Sequence, residues 1–596
     1  MDDRRTPSWF PYADLFCVSA ACLIWLFAPE IGFWPLILGL LPWLARWSMT
    51  GRIGVHSPFD WPLLVFLLTA TVSLWTAFDQ TAAWNKSWLI VGAMLLFFTF
   101  ANWSAAGGSS AQRNQAWLLG SLGSFISIYM LATNDWDAYP AKIGIVTAVG
   151  RAISSLRPDL PLESFHPTAM AGAMAVLIPF SAASAASAWF ERNRSRLLLG
   201  LVMVLVTTVG LVMTETRGAW IAVAVAAGLV IWWLIVRSLV RRRRRRRAIF
   251  FGSIALAAAA GVLFFALVPD ITERALSSLP SMESGLKRAD LYRNSLALIN
   301  DYPFIGAGLD NFMMLYSTYA LLLHVGFSTH AHNLFMDLTI QQGVLAVFIY
   351  LWMLLLMGEA VWRIMVSRKR RRRSGNQEAR SEVTAAQGES RAGGLMLAAA
   401  SLSLLILVLH GIVDDTIYGS RMLLLMFIPF AFAVPVLVKT RTPARKQQLI
   451  ALGFGLLILA IIAIFTWRPF SSMVRSNLAA IEQSKAELSV YHWPEWPVQD
   501  AVRAELDLSS EEEGFEKAIA LNGSNTSARR RLGQIKLSLG EYDAAVEQLE
   551  AAYAQTPWDN ATKQMLGEAY LVTGNVAAGE TLWSQVDNQL GKPHQG

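Results

Sequence analysis

LLLGLVMVLVTTVGLVMTETRGAWIAVAVAAGLVIWWLIVRSLVRRRRRRR, residues 197–247, is the stretch that decides the fold. It contains two apolar runs, and each is long enough to cross a bilayer, because a transmembrane helix needs about 20 mostly apolar residues. The polar segment TETRG separates the two runs, and a run of arginines follows the second. This stretch predicts a pair of membrane-spanning helices joined by a tight turn.

The remainder of the chain has the same character. Of its 596 residues, 54% are hydrophobic and 16% are charged, which is too apolar for an ordinary soluble protein of several domains. Apolar runs recur from Leu15 to Thr466, and we count about 13 candidate spans. We therefore predict an all-α fold, a polytopic membrane helical bundle. Cys17 and Cys22 lie inside the first apolar run, where neither a disulfide framework nor a zinc site is expected.

The distribution of positive charge predicts the orientation of the bundle. The net charge of +7 is concentrated at Arg241–Arg247 and Arg368–Arg373, beside apolar runs, so positive-inside bias explains it better than binding to nucleic acid. If the N-terminus is cytoplasmic, every basic loop falls on the cytoplasmic side. The segments predicted to face outward are Asp135–His166, Glu215–Gly218, Pro269–Asn333, Asp414–Arg421 and the chain beyond Arg468.

The tail after the last apolar run has a repeated pattern. Leu532, Gly533 and Gly540 return 34 residues later as Leu566, Gly567 and Gly574. This period resembles tetratricopeptide helical hairpins, which bind partners. We predict four parts: N-terminal transmembrane helices (1–268), a large outward loop (269–333), C-terminal transmembrane helices (334–468) and an extracytoplasmic repeat domain (469–596).

Two outward segments carry arginines that could bind an anion. Arg217 interrupts an apolar stretch, where a charge is costly unless it is paired or faces an anion. The alternative is an interfacial arginine that pairs with Glu215. In KRADLYRNSLALINDYPFIGAGLDNF (287–312), Arg288 and Tyr292 share a helical face, and Arg293 follows them. The alternative here is an amphipathic helix lying at the membrane interface.

The large loop ends in histidines. His330, His332 and Asn333 stand where the chain re-enters the membrane, and neutral imidazole can accept a proton from a hydroxyl. Two histidines at i and i+2 suggest a metal less than an i, i+4 pair does, and no carboxylate cluster completes a zinc shell nearby. Asn333 could instead cap the next helix. His410 with Asp414 and Asp415 forms another polar patch near the same face, catalytic or structural.

Together these motifs resemble the O-antigen ligase and O-antigen polymerase superfamily of bacterial membrane glycan transferases. The resemblance lies in the turn with Arg217, Arg288 followed by DYPFIGAGLDNF, His332 and Asn333 with Gly343 beyond them, and Asp414. FHPTAMAG (165–172) is similar to a family segment that more often carries Asn at the position of Thr168. Members with C-terminal tetratricopeptide repeats also look like this chain.

The resemblance implies a GT-C-like, metal-independent transferase without a cofactor. The donor would be a glycan on undecaprenyl diphosphate, and the loop 269–333 would be catalytic. Arg217 and Arg288 would hold the diphosphate, and His332 would accept the proton of the acceptor hydroxyl in an inverting displacement. The residues expected to contact substrate are Tyr292, Arg293, His330, Asn333 and Asp414.

Other functions remain open at this point. Within the superfamily the protein could be a glycan polymerase or a protein O-oligosaccharyltransferase, since the acceptor could be a glycan, a lipid or a protein. A lipid-glycan transporter is a different class, but the membrane part shows no related halves of the kind that transporters often have. A non-catalytic scaffold that presents the tail to a protein partner is the third possibility.

Overall fold

The computed structural model describes residues 7–137, 143–156, 163–267, 288–320, 328–371, 380–438, 445–490 and 499–586. Within those ranges the chain is helical and has no strand, which confirms the predicted all-α class. The helices are α1 (Phe10–Phe27), α2 (Trp34–Thr50), α3 (Asp60–Thr76), α4 (Gln80–Thr133), α5 (Gly144–Leu156), α6 (Pro167–Phe190), α7 (Arg194–Met213), α8 (Arg217–Leu239), α9 (Arg243–Leu267), α10 (Arg288–Asp301), α11 (Phe312–Ala320), α12 (Leu334–Gln342), α13 (Val344–Arg371), α14 (Arg380–Val413), α15 (Val434–Val438), α16 (Arg445–Leu488), α17 (Gln499–Glu505), α18 (Ser509–Leu521), α19 (Thr526–Ser538), α20 (Tyr542–Gln555), α21 (Asn560–Val572) and α22 (Val576–Gln585).

Eight segments of the described chain are long and apolar enough to cross a membrane, which confirms a polytopic membrane protein. They are α1, α4, α6, α7, α8, Val344–Met365 of α13, Ala392–Val413 of α14, and Arg421–Val438. Helix α4 has 54 residues and bends at Gly108, where φ is +58°, so its length can hold two of the predicted spans. Helices α2 and α3 have 17 residues each. The count of 13 spans stays a prediction.

A buried segment forms the centre of the bundle. Residues Arg421–Val438 consist of two short 3₁₀ helices followed by α15, and they pack among α4, α6, α13 and α14. Aromatic pairs fill this centre: the ring centroids of Phe66 and Phe427 lie 5.3 Å apart, and those of Phe180 and Phe432 lie 5.1 Å apart. Helices α7 and α8, by contrast, leave large apolar side chains exposed, as expected of surfaces that face lipid.

The polar segments meet at the two ends of the bundle. At one end Arg113 forms an ion pair with Glu191, which also lies 3.7 Å from Arg196. At the other end Arg421 lies 3.1 Å from Glu163. Each contact joins segments that the charge pattern places on one side of the membrane. The compartment that each end faces stays a prediction.

The tail consists of paired helices joined to the last long helix. Helix α21 begins 34 residues after α19, and Asn525 and Asp559 occupy the equivalent N-cap positions of these two helices. The Ser472 hydroxyl of α16 donates to the carbonyl oxygen of Ala518 in α18 (2.6 Å), so the tail packs on α16. Helix α16 continues through Pro469, across the predicted boundary at residue 469. The tetratricopeptide-like class and the domain boundaries stay predictions.

Candidate functional site

The candidate site lies at the end of the bundle where α10, α12 and the C-terminus of α14 meet. The Nδ1 atom of His332 lies 2.6 Å from Oδ1 of Asp414, and Nε2 of His330 lies 3.5 Å from the same oxygen. The two imidazole rings are 4.1 Å apart. The fold therefore brings three of the predicted site residues into direct contact.

The contacts between these side chains set their charges. Burial alone would raise the pKa of Asp414, but hydrogen bonds from His330 and His332 hold that pKa well below its usual value. Burial likewise opposes the charged form of His330, yet Asp414 raises the pKa of that imidazole. Because Asp414 is ionised, Nδ1 of His332 carries the hydrogen of their bond.

The backbone at His332 is strained. Its φ is +51°, in the left-handed region that non-glycine residues adopt at a cost of roughly 1 to 3 kcal/mol. The next residue, Asn333, is the N-cap of α12: its side-chain oxygen accepts from the backbone N–H groups of Phe335 (3.0 Å) and Met336 (3.2 Å). Its amide nitrogen donates to the carbonyl oxygen of Ile412 (2.9 Å). These are the contacts of a helix cap, whereas a substrate contact of Asn333 stays a prediction.

Helix α10 approaches the histidines through Tyr292. The Tyr292 hydroxyl donates to the carbonyl oxygens of His332 (3.3 Å) and Val413 (3.5 Å), so it bridges the two chain segments that carry the His–Asp pair. Arg288 begins α10 one turn earlier, but its side chain lies outside the described residues. Arg293 is exposed and lines a cleft that faces the tail.

Arg217 is the first residue of α8, and its side chain is exposed. Among the described residues it makes no hydrogen bond or ion pair. Glu215, the partner considered from the sequence, instead accepts a hydrogen bond from the backbone N–H of Ile143 (2.7 Å). A Cβ atom on Gly218 would lie 3.1 Å from the ring of buried His410, one turn before Asp414. The start of α8 therefore lies against the helix that ends at the site.

A pair of buried carboxyl groups lies below the histidines. Asp337 accepts from the backbone N–H of Ala331 (2.8 Å), and Asp415 accepts from that of Tyr418 (3.0 Å). Each also has a carboxyl oxygen that is buried without a hydrogen-bond partner among the described residues, and burial raises the pKa of Asp337 above its usual value. Burial and the charge of Asp337 hold the pKa of Asp415 well above its usual value. The sequence analysis placed Asp415 in a polar patch but missed Asp337.

Lys86 in α4 was also missed. Its Nζ lies 3.8 Å from Asp310 and 4.3 Å from the centre of the Tyr418 ring, so it joins the large loop to the turn after Asp414. The sequence feature that could have identified it is a lone lysine at the start of an apolar run, because an ionisable group at such a position indicates a polar cluster.

The motif DYPFIGAGLDNF docks the loop on the membrane helices. A Cβ atom on Gly306 would lie 2.4 Å from the Gln341 backbone, and one on Gly343 would lie 2.0 Å from the carbonyl oxygen of Phe304. Both glycines have positive φ, +72° and +82°, which other residues rarely adopt. The motif therefore holds α10 over the site by close backbone packing.

The segment FHPTAMAG begins α6. The Thr168 hydroxyl lies 2.6 Å from Nδ1 of His166, the N-cap residue of that helix. Further along, a Cβ on Gly172 would collide with Thr416, because α6 packs tightly on the turn that follows Asp414. Thr168, where the family more often has Asn, thus serves the helix cap.

The tail is anchored to the C-terminus of α10. Fully buried Asp301 accepts hydrogen bonds from Arg530 (2.6 Å), Arg531 and Ser527 of α19. Burial would raise the pKa of Asp301, yet the two guanidinium groups lower it below its usual value. Arg531 also donates to the Tyr302 hydroxyl (2.7 Å). One helix therefore contacts both the histidine site and the tail.

His330, His332 and Asp414 could also hold a metal ion, since their ligand atoms lie within 4.8 Å of one another. The sequence did not show this because Asp414 is 82 residues from His332. Ligand atoms around a tetrahedral zinc ion lie about 3.3 Å from each other, given bonds of roughly 2.0 to 2.1 Å. The His332–Asp414 separation of 2.6 Å is that of a hydrogen bond, which fits a proton-transfer pair better than two ligands of one ion.

Comparison with known proteins adds one finding. No curated protein matches the chain. A family model described as O-antigen ligase matches residues 202–351, about a quarter of the chain, and this range contains Arg217, α10 and His330 to Asn333 but ends before Asp414. Over residues 202–351 the protein is similar to the O-antigen ligase family, which supports a place in that superfamily and a membrane glycan-transferase activity of that kind.

Proposed function

We propose that the protein transfers a glycan from undecaprenyl diphosphate to an acceptor hydroxyl at the outer face of a bacterial cytoplasmic membrane. The observation that carries the proposal is the 2.6 Å hydrogen bond between His332 and Asp414 at the end of the helical bundle. A carboxylate that orients an imidazole and stabilises its protonated form makes a general base.

The reaction is a single displacement. The acceptor oxygen attacks the anomeric carbon and loses its proton to Nε2 of His332. The bond from that carbon to the diphosphate breaks, and its electron pair leaves with undecaprenyl diphosphate. Attack opposite the leaving group inverts the anomeric configuration. Asp414 stabilises the imidazolium that forms, and this chemistry uses no metal ion or cofactor.

Arginines stabilise the leaving diphosphate in this proposal. Arg217 offers an exposed guanidinium at the start of α8, and Arg288 begins the helix whose Tyr292 contacts the His332 backbone. Guanidinium groups match phosphate oxygens in a bidentate way and remain charged at any working pH. Negative charge builds on the diphosphate as the glycosidic bond breaks, so these contacts strengthen in the transition state.

The remaining predicted residues act around this centre. Tyr292 and Asn333 position the segment that carries His332, and His330 shares the Asp414 carboxylate with it. Arg293 lies on the side of α10 that faces the tail, where the acceptor would approach. A ligase, a polymerase and a protein O-oligosaccharyltransferase would share this chemistry and differ in the acceptor, which the tail would help to recruit.

The test uses purified full-length protein with a labelled undecaprenyl-diphosphate glycan and lipid, glycan and protein acceptors in turn. We expect release of undecaprenyl diphosphate together with transfer of the label. His332→Ala should lower the rate by about 10² to 10⁴, the usual contribution of a general base. His56→Ala is the matched control, because the His56 side chain is almost fully exposed and, within the described part of the chain, lies 3.4 Å from Asp60 one turn away.

Treatment with EDTA should leave the rate unchanged. Reversible loss of activity with EDTA would favour a metal on His330, His332 and Asp414 instead. Movement of the lipid-linked glycan across the membrane of reconstituted vesicles, without release of undecaprenyl diphosphate, would indicate a transporter. Absence of both activities, with tail binding retained, would indicate a scaffold.

A further inference from the structure

A solvent-open cleft of about 480 Å³ lies between α10 and the end of the tail. The described residues that line it are Arg293, Trp558, Asn560, Lys563, Ser584, Gln585 and Val586. Its size falls in the range of about 300 to 1,000 Å³ that is typical of small-ligand sites. The cleft is distinct from the His332–Asp414 pair, yet Arg293 is adjacent in sequence to Tyr292, which contacts the His332 backbone.

The cleft is cationic. Arg293 from α10 and Lys563 from α21 both line it, and none of the described lining residues is acidic. Burial lowers the pKa of Lys563, and repulsion from Arg293 lowers it further. Asp559 offsets this repulsion in part, but its carboxylate caps α21 through Ala561 and Thr562. Two cations that share a cleft favour an anion between them.

The rest of the lining suits a sugar. Trp558 is 39% exposed, so it presents a large aromatic surface at the cleft. An aromatic ring can pack on the apolar face of a pyranose, while Asn560, Ser584 and Gln585 offer both donors and acceptors to its hydroxyl groups. A cleft for a simple inorganic anion would not need this surface. The combination of cations, an aromatic ring and amide groups fits a sugar that carries a negative charge.

The cleft is built before a ligand arrives. Its two walls belong to the large loop and the tail, and the contacts of Asp301 with Arg530 and Arg531 join these parts through fully buried charges. Helices α11 and α21 also pack against each other beside it. A preformed site loses little ordering entropy when a ligand binds.

We propose that this cleft binds an acidic sugar residue, a pyranose with a carboxylate or phosphate group, in the glycan that the protein transfers or extends. The inference rests on the proposed function for its biological meaning, but the binding itself does not depend on catalysis. Arg293 and Lys563 bind the anionic group, and Trp558 stacks on the ring. The cleft would thereby select acidic glycans and hold them beside α10.

The experiment measures binding to purified full-length protein by calorimetry. The probes are a glucuronic-acid-terminated disaccharide, the matching glucose disaccharide and inorganic phosphate. We expect the acidic disaccharide to bind at least about tenfold more tightly than either of the others, because each lacks one of the two contacts. Lys563→Gln and Trp558→Ala should each weaken this binding by about tenfold. Lys517→Gln is the control, since Lys517 lies elsewhere in the tail and pairs with Glu513.

Equal affinity for the acidic and neutral disaccharides would overturn the proposal, and so would phosphate binding as tightly as the acidic sugar. Unchanged affinity in both Lys563→Gln and Trp558→Ala would also overturn it. Competition by an undecaprenyl-diphosphate glycan that carries the same acidic sugar would identify the donor as its source, and additive binding would identify the acceptor. His332→Ala should bind the disaccharide normally. Binding that depends on Lys563 in a protein without transferase activity would disprove the proposed function and leave the cleft assignment intact.

Discussion

His332 and Asp414 lie 82 residues apart in the sequence, and Nδ1 of the histidine lies 2.6 Å from Oδ1 of the aspartate. The next residue, Asp415, has an environment that shifts its pKa in the opposite direction. Asp415 is buried against Asp337, which raises its pKa, whereas the hydrogen bonds from the histidines hold the pKa of Asp414 below its usual value. The pKa values of two consecutive aspartates are therefore shifted in opposite directions.

This difference in pKa predicts that replacing aspartate with asparagine lowers the transfer rate at position 414 but not at position 415. Asp414→Asn removes the carboxylate that stabilises the imidazolium of His332, so transfer should fall by about 10² or more. Asp415→Asn replaces a buried carboxyl group, whose raised pKa favours its neutral form, with a neutral amide of similar shape, and it keeps the acceptor for the Tyr418 N–H, so the rate should stay within about threefold of the parent. Steady-state release of undecaprenyl diphosphate measures both. Equal loss in the two variants would show that Asp415 is charged or that the whole turn is structural.

The sequence predicted the membrane class and singled out His330, His332 and Asp414, which the fold brings into contact, because hydropathy, loop charge and isolated polar residues are local signals. It did not predict the assembly of the site. Asp337 looked like an ordinary polar residue in a helix, and its partner Asp415 lies far away in the chain. The anchoring of Asp301 by Arg530 and Arg531 depends on how the tail packs, which no local pattern shows. Long-range contacts are decided by tertiary packing, and they supply the orientation and charge of the site.

The free energy of unfolding should depend on pH through the contact between His330 and Asp414. The pKa of His330 is raised in the folded protein, so its contribution is fully present below about pH 6.5 and is lost as pH rises through the raised pKa. The pKa of Asp414 is lowered, so its contribution is present above about pH 3.9 and is lost as pH falls through the lowered pKa. Thermal unfolding of the parent and of Asp414→Asn across pH should differ most between about pH 4 and 6.5. A constant difference across the series would contradict this linkage.

The anchor between the loop and the tail should be necessary for a stable tail. Asp301→Ala would leave Arg530 and Arg531 buried without their carboxylate, and breaking a buried ion pair costs roughly 3 to 5 kcal/mol. We expect faster proteolysis of the tail and a lower transfer rate, because α10 carries both Asp301 and Tyr292. Asp543→Asn, at an exposed position of α20, is the control. Parental protease resistance in Asp301→Ala would mean that the tail is held by apolar packing alone.

The orientation of the bundle can be tested by cysteine labelling in intact cells. With Cys17 and Cys22 replaced, single cysteines are placed at the exposed positions Ser238, next to the arginine run, and Ser509 in the tail. Because basic segments remain cytoplasmic, an impermeant thiol reagent should label position 509 but not position 238. The opposite pattern would place the His332 site in the cytoplasm and rule out a donor at the outer face.

Substitutions of Arg217 test whether this residue binds the diphosphate. Arg217→Ala should remove charge-assisted hydrogen bonds worth roughly 1.5 to 3 kcal/mol, or about one to two decades in rate if they act in the transition state. Arg217→Lys should restore little activity, because an ammonium group lacks the bidentate fork that matches phosphate oxygens. Arg151→Ala is the control, since Arg151 is a half-exposed arginine paired with Asp137 (2.7 Å) in a segment predicted to face the same side. Full activity in Arg217→Lys would reduce the role of Arg217 to general attraction of anions. Full activity in Arg217→Ala would mean that Arg288 binds the diphosphate without Arg217. If Arg151→Ala lowers the transfer rate as much as Arg217→Ala does, the net charge at this end of the bundle governs the rate.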